Sequence, residues 1–220
     1  MLAPFLEYLA RVLLVLEPTL EDCSTSDLPP LPYIKLTGDF KNITNFLKEL
    51  TPFLNKIVNH RCFKVLKTLL FKSMDSNGNT LLHYAAATGH LRILQTLLNI
   101  NNNPEFFENG ILIDLSNIFN NSRSTPLHHA AFFSQDTEAL KLVIQLSINL
   151  NVKDGLGSTP IISAIGSNNL QAINILVDQA SIDCSIINNN HYSALDLFKR
   201  SHSLALQQIA RKLEANRRSL

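Results

Sequence analysis

The sequence of 220 residues has no tryptophan, only three cysteines and few charged side chains, which make up 17% of the chain. Cys23, Cys62 and Cys184 are too few and too scattered for a disulfide framework or a complete zinc ligand set. Reduced thiols are their simplest interpretation, and they indicate a cytoplasmic setting. The formal net charge of +1 and the lack of alternating basic and aromatic residues argue against a nucleic-acid partner.

The small net charge is unevenly distributed along the chain. Residues 199–220 carry a local charge of +5, which leaves −4 for the remainder. These cations suit the negative end of a solvated helix. A basic contact patch, or a lead-in to a further domain, is the alternative interpretation. The six basic residues are Lys199, Arg200, Arg211, Lys212, Arg217 and Arg218, opposed by Glu214.

No apolar run at the N-terminus is long enough to span a membrane, because Glu7 and Arg11 interrupt it. Its 3–4 spacing of apolar residues predicts a packed helix over 2–16. A membrane-surface helix is disfavoured because its polar face has few basic residues. We therefore expect an N-terminal helix and Pro-rich linker over 1–38 and degenerate capping helices over 39–74. The Pro29–Pro32 segment is either a stiff connector or a ligand for an aromatic groove.

An internal repeat is the main positive feature of the sequence. The stretch at 75–98 returns at 120–144, at 154–177 and, more weakly, at 188–213. Each copy predicts a polar turn, an inner helix with a hydroxyl N-cap, and a second amphipathic helix. Such a unit cannot bury its apolar face alone, so neighbouring copies must stack into a solenoid. The predicted N-caps are Thr80, Thr125, Thr159 and Ser193, which are 45, 34 and 34 residues apart.

These copies resemble the ankyrin repeat, whose pattern includes D-x-x-G-x-T-P-L-H-x-A-A. The first copy has Leu81 in place of proline, the second has Arg123 in place of the turn glycine, and the third has Ile162 in place of histidine. The resemblance implies an all-α ankyrin-repeat solenoid with a divergent helical N-terminal cap. Its repeats are expected at about 75–119, 120–153, 154–187 and 188–213, followed by a basic tail at 214–220. A long inserted loop is expected at 99–112, after a second helix.

Candidate catalytic and metal chemistry finds little support. His83 and His128 occupy the same repeat position, and the resemblance assigns them a structural hydrogen-bonding role. A zinc site would need three or four converging ligands. The glycines in DGLGST (154–159) lack the following lysine of a phosphate loop. We expect no catalytic residue, no metal and no cofactor.

The resemblance places a partner-binding surface on the first helices and the tips of the turns. Phe132 and Phe133 matter most, because two consecutive residues of a helix cannot both point inward. They are either exposed to a partner or covered by the inserted loop. The full predicted set is Tyr84, Thr88, His129, Phe132, Phe133, Ser163, Ser167, Arg200, Asn77, Asn79, Leu156 and Tyr192.

The sequence thus predicts a non-catalytic protein–protein interaction module, either an adaptor or scaffold, with a protein as its partner and no small-molecule substrate. The degenerate, asparagine-rich repeats are also similar to those of effectors that intracellular bacteria deliver into host cytoplasm. The alternative is the targeting portion of a larger multidomain enzyme or effector.

Overall fold

The computed structural model describes residues 74–75, 77–101 and 114–218, together with Lys48 and Thr51. This part of the chain is all α, as predicted, and its single β-type interaction is an isolated bridge between Ile187 and Ser193. The predicted N-terminal helix and linker lie outside the described residues, as does almost all of the capping region. The helices are α1 (Leu81–Thr88), α2 (Leu91–Asn101), a 3-10 helix (Leu115–Asn117), α3 (Pro126–Phe133), α4 (Thr137–Gln145), α5 (Pro160–Gly166), α6 (Leu170–Val177), α7 (Ala194–Arg200) and α8 (Leu204–Arg218).

The helices form two parallel rows. The inner row consists of α1, α3, α5 and α7, each of which packs on the next. In the outer row, α2 packs on α4 and α4 packs on α6, while α8 packs on α7 at the C-terminal end. Every inner helix is followed directly by an outer helix, so the repeat unit read from the sequence is also the structural unit of the solenoid.

The inner helices begin where the sequence predicts. All four predicted hydroxyl residues are N-caps with extended backbone angles, and Pro126 and Pro160 occupy the first helical positions. Proline suits this position because its missing N–H would have no intrahelical partner there. Small side chains such as Ala85 and Ala130 are fully buried and allow the inner helices to lie close together.

One continuous hydrophobic core runs between the two rows. The outer helices contribute buried aliphatic side chains at helical spacing, such as Ile93 and Leu97 in α2. Each such side chain stabilises the fold by about 1.5–3 kcal/mol when fully buried. At the C-terminal end, Phe198 is completely buried and Leu206 and Ala210 of α8 belong to the same core.

The insertion between the first two repeats begins later than predicted. α2 extends to Asn101, so its last turn occupies the first residues of the expected 99–112 loop. The helical spacing of apolar residues ends before the helix does, which is why the sequence placed the boundary too early. Residues 102–113, which hold the rest of the predicted loop, lie outside the described residues.

The C-terminal basic residues belong to helices and not to a separate tail, because Lys199 and Arg200 end α7 and α8 extends to Arg218. Two of them form ion pairs: Lys199 with Glu214 at 2.5 Å, and Lys212 with Asp178 at 3.8 Å. Both pairs are substantially exposed, so each contributes little to stability.

Candidate protein-binding surface

Four turns of identical construction line one side of the solenoid, and we call them fingers 1 to 4. Each begins with an Asx residue whose side-chain oxygen accepts the backbone N–H groups two and four residues later. In finger 1, Asp75 Oδ1 accepts from Asn77 at 2.8 Å and from Asn79 at 2.7 Å. The other three fingers repeat both bonds from Asn120, Asp154 and Asn188.

The fourth residue of every finger has a left-handed backbone angle. Two fingers have glycine there, with φ of 75° at Gly78 and 71° at Gly157, whereas Arg123 (56°) and His191 (62°) adopt it despite their side chains. A Cβ on Gly78 would lie 2.5 Å from Oδ1 of Asn121 in the next finger, which leaves no room for a side chain. The finger after Arg123 instead has Gly155 at the asparagine position. Fingers 2 and 3 can therefore approach equally closely, because the residue that lacks a side chain is Gly155 of finger 3 instead of the fourth residue of finger 2.

Adjacent fingers are joined by one backbone hydrogen bond at the tip. The donor is the second residue of a finger and the acceptor is the third residue of the finger before it. This ladder fixes the tips side by side, so their exposed side chains form a rigid edge. The bonds run from Asn121 to Asn77 at 2.9 Å, from Gly155 to Ser122 at 2.8 Å and from Asn189 to Leu156 at 3.0 Å.

His83 and His128 join an inner helix to the next finger, which confirms their predicted structural role. Nδ1 of His83 accepts the N–H of the N-cap Thr80 at 3.1 Å, so Nε2 carries the proton and donates to the carbonyl of Ser124 at 3.0 Å. His128 makes the equivalent bonds. Burial lowers the pKa of His83 to about 4 and also lowers the pKa of His128, so both rings are neutral at pH 7.

Tyr84 and Asn79 do not lie on the surface, contrary to prediction. Tyr84 is 4% exposed and donates its hydroxyl to the Asp75 carboxylate, and burial together with this bond raises its pKa well above the usual range. Asn79 is 8% exposed and donates to Asp75 Oδ2 at 3.0 Å while accepting from Asn120 at 2.9 Å. The backbone of the finger donates to Oδ1 of Asp75, and the side chains of Tyr84 and Asn79 are buried because both donate to Oδ2.

His129 lies at the edge of this buried polar network. Its Nε2 is 3.3 Å from the side-chain nitrogen of Asn120, and its ring makes edge contacts with His83 at 5.0 Å and with Phe133 at 5.9 Å between centroids. Burial, the largest cause, and the neighbouring His83 and His128 lower its pKa to about 3. His129 is consequently an uncharged, half-buried ring at pH 7.

Phe132 and Phe133 are both exposed, at 42% and 36% of their surface, which confirms that they do not both point inward. Their rings are in edge contact, with centroids 4.7 Å apart. Together with His129 they form what we call the aromatic patch. The alternative covering by the inserted loop depends on residues 102–113, which the structure does not describe.

The remaining predicted residues belong to the inner helices and the fingers. The hydroxyls of Thr88, Ser163 and Ser167 are half-buried and directed at carbonyls of their own helices. Arg200 is exposed and lies 4.8 Å above the ring of the half-buried Tyr192. At the finger tips, Asn77 is exposed and Leu156 is 71% exposed. Ten of the predicted residues thus remain candidates for partner contact, and Tyr84 and Asn79 do not.

Two exposed residues of this surface were not predicted from the sequence. Phe119, which is 38% exposed, directly precedes finger 2, and the Arg123 guanidinium lies 5.8 Å from its ring centre. The signal available in the sequence was an aromatic residue next to the start of a finger. In the sequence Arg123 differs from the repeat pattern only as a replacement for the turn glycine, and its exposure as a cation depends on the folded finger.

The described ranges contain no group of three or more histidine, cysteine, aspartate or glutamate residues that could hold a metal ion. Within the same ranges, no helix is both long and apolar enough to cross a membrane.

Stacked pairs of capped helices, joined by histidine side chains that bond from one repeat to the next, define a repeat solenoid. Solenoids of this kind present a surface to other proteins. The family model for ankyrin repeats, in three copies, matches residues 54–154, so this part of the chain consists of ankyrin repeats. This confirms the resemblance stated from the sequence. The family is generally a non-catalytic interaction module, and it indicates a protein partner for this chain.

Among curated proteins, the chain is similar to several from poxviruses, of which three are described below. It is 31% identical over 119 residues to interferon antagonist OPG039 of Monkeypox virus and 29% identical over 119 residues to interferon antagonist OPG040 of Vaccinia virus. It is 28% identical over 140 residues to the ankyrin repeat protein FPV031 of Fowlpox virus. The matches cover 52%, 52% and 60% of this chain but only 36%, 36% and 38% of those proteins. None of the three is bacterial, so they give no support to the resemblance to bacterial effectors.

Proposed function

We propose that this chain is a non-catalytic binding unit that recognises a host protein through the aromatic patch and the adjacent finger tips, and thereby antagonises the interferon response. The observation that carries the binding surface is the exposure of two adjacent phenylalanines on a rigid inner helix. The proposed antagonism of the interferon response is supported by the Monkeypox and Vaccinia relatives, both of which are named interferon antagonists. The setting in which it would act is the cytoplasm of the host cell.

The aromatic patch is large enough to anchor a complex. With 42% and 36% of their surfaces exposed, Phe132 and Phe133 offer roughly 150 Å² of apolar area to a partner. At 25 cal/mol per Å², burying this area is worth about 4 kcal/mol before the costs of association. The patch is also preorganised, because the ring contacts with His129 limit the rotamers that binding must fix.

The structural roles of the unusual titratable groups support a non-catalytic function. Perturbed pKa values often mark catalytic sites, but four of the perturbed groups here make structural hydrogen bonds. His83 and His128 join repeats, and Tyr84 is bound to Asp75. The pKa of Asp196 is lowered because it accepts hydrogen bonds from the N-cap Ser193. The alternative, that these repeats target a catalytic part located elsewhere, would preserve the same binding surface.

The proposal is tested with an interferon-responsive reporter in cells that express the chain. We expect the wild type to suppress the reporter and the Phe132→Ser/Phe133→Ser variant to lose suppression. The matched control is Ile148→Ser, which removes a 76% exposed apolar side chain from the loop after α4 and should suppress normally. A wild type without effect refutes the interferon role, whereas suppression by the double variant refutes the role of the aromatic patch.

A further inference from the structure

The C-terminal ends of three inner helices place very different residues at one repeat position. Phe132 of α3, Gly166 of α5 and Arg200 of α7 are each separated by one repeat of 34 residues. Both Phe132 and Arg200 are exposed. A Cβ built on Gly166 would meet no atom within 4 Å, so open space lies above the glycine. Along the inner row, the exposed surface therefore presents the aromatic ring of Phe132, a notch above Gly166 and the cation of Arg200, in that order.

The cation at the end of this row is available to a ligand. Arg200 is stacked on Tyr192 at 4.8 Å, which fixes its position and leaves it exposed. In the described part of the chain, no carboxylate forms an ion pair with Arg200, whereas Lys199 beside it is paired with Glu214.

The carboxylates of this side of the solenoid are already engaged by the protein. Asp75 and Asp154 accept the backbone N–H groups of their fingers, and Asp196 accepts the N–H and hydroxyl of Ser193. The exposed cation Arg123 lies beside Phe119 in finger 2. Within the described residues neither Arg123 nor Arg200 forms an ion pair, although Arg200 lies near enough to Asp196 to contribute to its lowered pKa. The surface therefore combines apolar rings with two exposed cations that can attract an acidic ligand.

We propose that the row of Phe132, Gly166 and Arg200 forms a groove that binds an extended, acidic segment of a partner protein, with an apolar side chain on the aromatic patch and a carboxylate on Arg200. This inference rests on the proposed binding function and specifies the chemistry of the partner. An arginine stacked on an aromatic ring is suited to a carboxylate, because its planar fork can make two parallel hydrogen bonds.

The geometry sets the spacing of the two anchors along the ligand. Packed helices lie about 8–10 Å apart, so two steps along the inner row separate Phe132 from Arg200 by roughly 16–20 Å. An extended chain rises about 3.3 Å per residue, which places the apolar residue and the carboxylate five or six residues apart. The bare Gly166 between them allows the backbone of the ligand to approach closely.

The test is selection of random twelve-residue peptides, displayed on phage, on the immobilised full chain. We expect enriched peptides to carry an aspartate or glutamate about five or six residues from a large apolar residue. Selection on Arg200→Glu should lose the acidic preference, while the matched reversal Arg211→Glu, at an exposed position of α8, should retain it. Circular dichroism melts establish that each variant is folded.

A second variant blocks the groove without altering its charge. Gly166→Leu places a side chain in the notch, and the open space there allows it without distortion of α5. We expect the selected peptides to bind this variant more than tenfold more weakly by fluorescence anisotropy. Asn174→Leu, which adds the same side chain at an exposed position of α6, should bind them as the wild type does.

The outcomes separate the chemistry of the ligand from the existence of the binding surface. Enrichment of neutral or basic peptides that Gly166→Leu still blocks overturns the acidic ligand and leaves the proposed function intact. Failure to enrich any peptide above an uncoated surface overturns the extended-peptide ligand, whereas the reporter assay with the Phe132→Ser/Phe133→Ser variant decides the proposed function independently. Binding of a fluorescent single-stranded oligonucleotide that Arg200→Glu abolishes would assign the cation to nucleic acid and overturn the peptide proposal.

Discussion

Replacement of His128 by alanine tests whether the hydrogen bonds of the buried histidines hold neighbouring repeats together. His128 is 2% exposed, its Nδ1 accepts the N–H of Thr125 at 3.1 Å, and its Nε2 donates to the carbonyl of Ser158 at 3.0 Å. The alanine variant leaves one donor and one acceptor without these partners, at about 1–3 kcal/mol each. We expect a loss of about 3 kcal/mol in the free energy of unfolding, which corresponds to a melting temperature roughly 6–12 °C lower.

Urea unfolding followed by circular dichroism measures this loss. The matched control is His202→Ala, since His202 is exposed and its removal should change stability by less than about 0.5 kcal/mol. Because repeats contact only their neighbours, a weakened joint should also broaden the transition as the two parts unfold separately. An unfolding curve of His128→Ala that superimposes on the wild type would refute the assignment of this residue as a joint between repeats.

Two further predictions concern pH and the fingers. Burial lowers the pKa of His83 from 6.5 to about 4, so the unfolded chain binds more protons between these values. The contribution of neutral His83 to the free energy of unfolding is complete above pH 6.5 and falls by about 3 kcal/mol as the pH is lowered towards 4. Urea midpoints at pH 7 and pH 4.5 that coincide would contradict this expectation. Gly157→Ala should destabilise by about 1–3 kcal/mol, because its φ is 71° and the new Cβ would lie 2.9 Å from the Asn189 backbone nitrogen. Gly166→Ala, in open space within α5, should instead be neutral or stabilising in the same melts.

The repeat register could be predicted because it depends on local chemistry. A threonine that caps a helix and a histidine three residues later interact within one turn, so Thr80 and His83 are recognisable from their spacing alone. The third repeat shows the limit of this reasoning. It has Ile162 at the histidine position, where an aliphatic side chain that is 6% exposed takes the place of the hydrogen-bonding histidine.

The surface was harder to predict because side-chain exposure depends on contacts between distant residues. Tyr84 has the position of a groove residue, but the Asp75 carboxylate nine residues earlier draws it into the interior. The exchange of glycine between Arg123 and Gly155 likewise becomes visible only when adjacent fingers lie side by side. Phe132 and Phe133 could be predicted because helical geometry alone prevents both from being buried.

The affinity for a host partner tests the central claim most directly. The partner is first recovered with the wild-type chain from interferon-treated cells, and its dissociation constant is then measured with purified proteins by surface plasmon resonance. We expect the Phe132→Ser/Phe133→Ser variant to bind at least about thirty-fold more weakly, which corresponds to roughly 2 kcal/mol, while Ile148→Ser binds as the wild type does. A double variant that remains folded and retains wild-type affinity would contradict the assignment of this surface.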